Sequence, residues 1–197
     1  MPDRFQTILT RTESIFKDRG SRFLGYAIPI KNVDEIRQEL EAIRQLHPSA
    51  RHVCYAYILG SSTETYRAND DGEPNGTAGL PILNQIRSKE VTNVLVAVVR
   101  YFGGTKLGVS GLINAYKEAA KLALDSSTVI ITVMKASIRL RFPHSSIRDV
   151  ERTIRQNDYE ISEQHFGMDC NWTILVPESE LAKCKALFES VRDVQLL

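Results

Sequence analysis

DDGEPNGTAGLP (residues 70–81), VTNVLVAVVRYF (91–102) and GGTKLGVSGLINAY (103–116) hold the reading that decides the fold. The middle segment is apolar at six successive positions, Val94 to Val99. That length, the β-branched content and the Gly-Gly that closes the run favour a strand buried on both faces over a helix. Two Gly-rich polar loops bracket this strand. Asp70, Asp71, Glu73, Arg100, Tyr101 and Lys106 therefore stand at the edges of a rigid scaffold, where site residues are commonly carried.

Working outward, SRFLGYAIPI (21–30) reads as a strand. Val33, Ile36, Leu40, Ile43 and Leu46 then recur at helical spacing, with Asn32 or Asp34 to cap the start and Pro48 after the end. ARHVCYAYILG (50–60) is a second strand, with His52, Cys54, Ala56 and Ile58 on one face and Val53, Tyr55 and Tyr57 on the other. A polar link (61–65) and a short strand (65–68) lead into the first Gly-rich loop. A short helix is expected over 80–86, with Thr77 as its cap, and another over 110–124. The first part is thus one sheet carrying helices.

From residue 134 the pattern changes. MKASIRLRF (134–142) alternates, a helix over 145–156 has Ser146 and Asp149 at capping-box spacing, strands follow near 159–166 and 170–176, and a helix runs from Ser179 to about Ser190. With VQLL as a last strand, this β-α-β-β-α-β order is a ferredoxin-like plan. The expected domains are 1–132 and 133–197, the second small enough that it should lean on the first.

The net charge of +1 supplies no long-range field, so nucleic-acid affinity would need a local patch. No apolar stretch has the length of a membrane span, and the N-terminal residues lack a signal-peptide core. Cys54, Cys170 and Cys184 form neither a metal spacing nor a disulfide framework, which points to a reducing, cytoplasmic compartment.

In the second Gly-rich loop, Gly103, Gly104, Gly108 and Gly111 leave backbone amides unshielded before a helix, and Lys106 adds charge, a combination suited to phosphate. It is not a P-loop. Counting from Gly103, Gly108 and Ser110 keep the register, but Val109 takes the lysine's place. Arg100 is read as a phosphate or carboxylate clamp, or else as an internal salt bridge to Asp70, Asp71 or Glu73. The three acids of the first loop have the charge for Mg²⁺ and equally the chemistry of an ordinary turn. His52 lines a site or is a satisfied structural histidine; Cys54 is a small core residue, too far along the strand to bond directly with it. No cofactor motif is recognised.

ARHVCYAY, DDGEPNGTAGLP and VLVAVVRYFGGTKLGVSGLINAY closely resemble the YigZ/IMPACT family, over about residues 18–125, and the C-terminal part resembles the small second domain of bacterial YigZ-type members. The matching positions are His52, Asp70, Asp71, Glu73, Gly76, Arg100, Gly103, Gly104, Lys106, Gly108 and Tyr116. The resemblance implies an α+β class: a βαβ domain like domain 2 of a ribosomal small-subunit protein, then a ferredoxin-like domain similar to domain V of elongation factor G. It implies a protein that binds RNA or the ribosome, or a protein partner in translation control, with no membrane role and no chemistry of its own. The chain is read as lacking the N-terminal domain by which eukaryotic members reach a translation-regulating kinase through its activator. The competing expectation is an enzyme on a phosphate-bearing small molecule or nucleotide, with Asp71 and Glu73 as metal holders or base.

Overall fold

The computed structural model describes residues 3–60 and 65–197, so most of the polar link expected over 61–65 lies outside the described residues. Backbone contacts divide the chain into two compact units, Phe5–Thr132 and the N-terminal residues through Arg4 together with Val133–Leu197.

In the larger unit, strands β1 (Arg4–Ile8), β2 (Thr12–Asp18) and β3 (Ser21–Pro29) precede helix α1 (Val33–Leu46). Strands β4 (His52–Leu59) and β5 (Thr65–Asn69), helix α2 (Gly79–Ser88), strand β6 (Val94–Tyr101), helix α3 (Gly108–Asp125) and strand β7 (Val129–Val133) follow. Five strands form one sheet in the order β2-β3-β6-β4-β5, and β1 pairs with β7 in a separate ribbon. Every neighbouring pair in the five-stranded sheet is antiparallel. Hence β3 and β4, joined through α1, run parallel with β6 between them.

The central place of β6 explains its six apolar residues. Val94, Val96 and Val98 enter a core shared with Phe23, Cys54, Ala56 and the inner faces of α2 and α3. Leu95, Ala97 and Val99 enter a second core with Tyr26, Val53 and with Ile36 and Ile43 of α1. A strand with helices on both faces has no solvent side, so no polar alternation survives. At Gly25 of β3 an added Cβ would stand 2.5 Å from the Ala119 carbonyl oxygen of α3. Only glycine lets that helix lie so close.

Asn32 caps α1 by accepting the Glu35 amide at 2.9 Å, as its position suggested. Thr77 does not cap α2. Its hydroxyl donates to the Pro74 carbonyl, and Asp70 serves the helix start instead.

The smaller unit contains β8 (Lys135–Phe142), α4 (Ile147–Gln156), β9 (Glu160–Phe166), β10 (Cys170–Pro177), α5 (Leu181–Glu189) and β11 (Gln195–Leu196), with sheet order β11-β8-β10-β9. Ile138, Leu140 and Phe142 are buried while Ser137, Arg139 and Arg141 are exposed, the signature of a sheet covered on one face. Its core gathers Trp172, Ile174, Val150, Ile154, Cys184 and Phe188. The expected capping box at Ser146 is not formed. A single 3₁₀ turn (His144–Ser146) precedes α4, and the Ser146 hydroxyl donates to the Arg192 carbonyl. The chain thus has a mixed α/β architecture in two units.

Candidate functional site

Alternation along β6 decides what its polar end does. Arg100 continues the face of Val94, Val96 and Val98, while Tyr101 falls on the face of Leu95, Ala97 and Val99. His52 stands opposite Arg100 across the β4–β6 ladder. The loop after β5 then lays its carboxylates along these strand ends.

Arg100 is only 9% exposed, and its guanidinium donates to Glu73 Oε1 at 2.6 Å. The Tyr116 hydroxyl of α3 donates to the same oxygen at 2.8 Å. Of the two readings left open for Arg100, the structure contains the internal salt bridge, and its partner is Glu73. Arg100 also lies 5.6 Å from the ring centres of both Phe23 and Phe102, so its charge is near two aromatic faces. Its Nε has no partner among the described residues.

Asp71 ties its loop to two elements, β4 and α1. The Val53 amide of β4 donates to Oδ2 at 2.7 Å and Arg44 of α1 to Oδ1 at 2.9 Å. The Asp71 carbonyl accepts His52 Nδ1–H at 2.8 Å. A carbonyl only accepts, so Nδ1 carries a proton and Nε2 of neutral His52 is left as an acceptor. Asp70 accepts from the amides of Gly76, Ala78 and Gly79 at 2.8–2.9 Å. Burial acts to raise its carboxyl pKa, but the amide bonds from Gly76, Gly79 and Ala78 together hold it below the ordinary value. The Asp70 carbonyl takes the Cys54 thiol, whose pKa burial pushes up to about 12. Burial likewise raises the Tyr116 hydroxyl.

The three acids therefore serve three separate donor sets. Among the described residues no three His, Cys, Asp or Glu side chains converge as a metal set. The contacts of His52, Asp70, Asp71, Glu73, Arg100 and Tyr116 act side by side as a latch that holds the first Gly-rich loop onto the sheet, buried at Glu73, Arg100 and Tyr116 and half-buried at His52, Asp70 and Asp71.

The second loop faces the other way. Phe102, Gly103, Gly104, Lys106 and Gly108 are all exposed, as are Val109 and Ser110 in the first turn of α3. The helix starts without a side-chain cap, which leaves its first amides for solvent or a ligand. Tyr101 belongs to neither group. Its hydroxyl meets His47 Nδ1 at 2.9 Å, and His47 Nε2 meets the Tyr26 hydroxyl at 2.7 Å. Burial lowers the His47 pKa, with Glu13 acting against the shift. His47 and Tyr26 escaped the sequence reading. Their one signal is a histidine between a helix end and Pro48.

The family model described as the Impact N-terminal domain matches residues 19–124, more than half of the chain, and spans both loops and the latch. The chain belongs to the IMPACT family. The IMPACT family member YigZ of Escherichia coli is 30% identical over 170 residues, 85% of this chain and 83% of that protein. The IMPACT family member in pol 5'region of Thermus thermophilus is 36% identical over 174 residues, 87% of this chain and 94% of that one. A crystal structure of a hypothetical protein aligns at a TM-score of 0.75 and 28% identity, covering 99% of this chain and 97% of its own.

Proposed function

We propose that this IMPACT-family protein acts in the cytoplasm as a regulator of translation, binding RNA or the ribosome through the outward Gly-rich loop and performing no chemistry of its own. The larger unit is then a variant of the ribosomal-protein βαβ plan. The smaller unit, with its β-α-β-β-α-β order and β11-β8-β10-β9 sheet, is of the ferredoxin-like type.

One observation carries the reading. Of the two Gly-rich loops, only 102–110 presents exposed backbone, an uncapped helix start and a lysine together. Backbone amides, a helix N-terminus and Lys106 provide phosphate contacts that do not depend on base sequence. His52, Asp70, Asp71, Glu73, Arg100 and Tyr116 hold the loop's foundation in this reading and leave contact with RNA to Gly103, Gly104, Lys106 and Gly108. Tyr101 secures the strand end through His47.

Cosedimentation with ribosomes and their subunits at low and moderate salt tests the proposal. Binding that weakens steeply with salt, and weakens further in Lys106→Ala, is expected, because each neutralised phosphate releases counterions. Absence of binding by the folded protein, or binding indifferent to salt, sinks it.

A further inference from the structure

The two-residue turn between β2 and β3 is an oddity in a hairpin. Arg19 and Gly20 both take positive φ, 44° and 79°, as a type I′ turn demands. Glycine, asparagine or aspartate fits the first of these positions best, whereas the Cβ of a residue such as arginine is strained there. Strain of this kind persists where the side chain has a use.

The turn is seated on the Gly-rich loop. A Cβ on Gly103 would stand 1.9 Å from the Gly20 carbonyl carbon and 2.1 Å from the Ser21 amide nitrogen, so the two backbones touch. The Gly103 amide donates to the Ser21 hydroxyl at 3.1 Å. Lys17 and Arg22 face each other across this hairpin, and Arg22 stands opposite Tyr101, its guanidinium 5.2 Å from the ring centre. Lys17, Arg19, Arg22 and Lys106 are all exposed, and none of them joins an ion pair among the described residues. Asp18 is the one carboxylate in the turn. Phe102 adds an apolar plate: 58% exposed, it has buried Arg100 near its ring, and that contact helps to hold it in place.

We infer that the Asp18–Ser21 turn and the loop 102–110 form one surface for unpaired RNA, with Phe102 stacking a base and Lys17, Arg19, Arg22 and Lys106 on phosphates. The inference rests on the RNA reading above and specifies its ligand. An exposed aromatic ring can stack only on a base that has left its neighbours, which a duplex does not offer. These four cations, outside every ion pair among the described residues, bracket the strand end, with Arg22 against Tyr101 on one sheet face and Phe102 against Arg100 on the other. That is a path around the edge that a flexible single strand can follow without its sequence being read.

Fluorescence anisotropy with a labelled, unstructured oligonucleotide of about ten nucleotides, beside a duplex of the same composition, tests this. The single strand should bind more tightly than the duplex. Phe102→Ala should weaken it by about 5- to 150-fold while leaving the salt dependence unchanged. Arg19→Ala with Arg22→Ala should flatten the slope of log affinity against log salt by roughly 1.4. Arg19→Gly relieves the turn, so it should keep or raise the thermal midpoint and still weaken binding, which a purely structural arginine would not do. Single-strand binding that none of these variants alters, or equal affinity for the duplex, overturns the inference while leaving RNA binding elsewhere on the protein intact. A wild-type protein that binds neither oligonucleotide nor ribosomes removes the broader reading as well. An acidic peptide competing on this face in place of RNA would also overturn it.

Discussion

The two Gly-rich loops look alike in sequence and do opposite things in the structure. Loop 70–79 turns its acids onto neighbouring groups, where Glu73 meets buried Arg100, Asp71 meets the Val53 amide and the half-exposed Arg44, and Asp70 meets three loop and helix amides. Loop 102–110 keeps its lysine, glycines and Phe102 in solvent. The difference lies in what surrounds each loop. Arg100, at the end of a strand buried on both faces, is cut off from water and takes Glu73, while the Val53 amide takes Asp71 and the loop's own amides with those of the α2 start take Asp70. The second loop leaves the strand for a helix whose first amides already face outward, so its polar groups have no internal debt. A polar loop beside a buried strand thus becomes a foundation or a surface according to which unsatisfied groups face it.

The sharpest way to break this contrast is to remove the foundation. Glu73→Gln strips the carboxylate from Arg100 and leaves a guanidinium buried without a counter-charge. The loss should be roughly 3–5 kcal/mol in urea unfolding. Replacing both partners with apolar residues, Glu73→Leu and Arg100→Met, should lose less than the single change, because no orphan charge remains. If Glu73→Gln unfolds at the wild-type midpoint, the first loop is not a foundation at all.

Asp70→Ala removes one acceptor shared by three amides and should cost about 2 kcal/mol. This contribution depends on pH in a definite direction. The folded carboxyl titrates below its ordinary 3.8, so the unfolded chain takes up the proton first. The stabilisation is complete above that ordinary value and disappears as pH falls through the lower folded one. Acid unfolding of wild type and Asp70→Ala should therefore converge at the lowest pH. Curves that stay separated there would show that the amides are not what Asp70 serves.

A smaller effect belongs to the opposite face of the same strand end. Tyr101→Phe deletes the hydrogen bond to His47 and should cost about 1 kcal/mol. Neutral His47 is favoured on folding, since burial lowers its pKa from 6.5. Its contribution is full above 6.5 and declines as pH falls from there through the folded value. An NMR titration placing His47 above 6.5 would contradict the burial seen here.

How much of this was legible in the sequence depends on the range of the interaction. Val94–Val99 announced its double burial, the α1 stripe and the Asn32 cap were local, and β8 advertised one covered face through Ile138, Leu140 and Phe142. The strands β1, β2 and β7 were not read, since TESIFKD mixes charge with its apolar positions and RFQTI is short. Asp70 reaches amides eight and nine residues on, which no capping rule scans for. Three acids lay within reach of Arg100 on paper. Only the lie of the loop across β4 and β6 chose Glu73, and that is a property of strand pairing, invisible to local pattern.

The smallest expected effect on stability is the most informative about the surface. Lys106 is exposed and joins no ion pair among the described residues, so Lys106→Ala should leave the unfolding midpoint where it is. The same change should lower RNA or ribosome binding and reduce its salt dependence, because one phosphate contact is lost. The pairing of an unmoved midpoint with weakened binding is what separates a surface from a foundation. Glu73→Gln and Asp70→Ala should show the reverse order, losing stability first and binding only as the folded fraction falls. Should Lys106→Ala unfold early, Lys106 would be part of the foundation, and the two loops would not differ in kind.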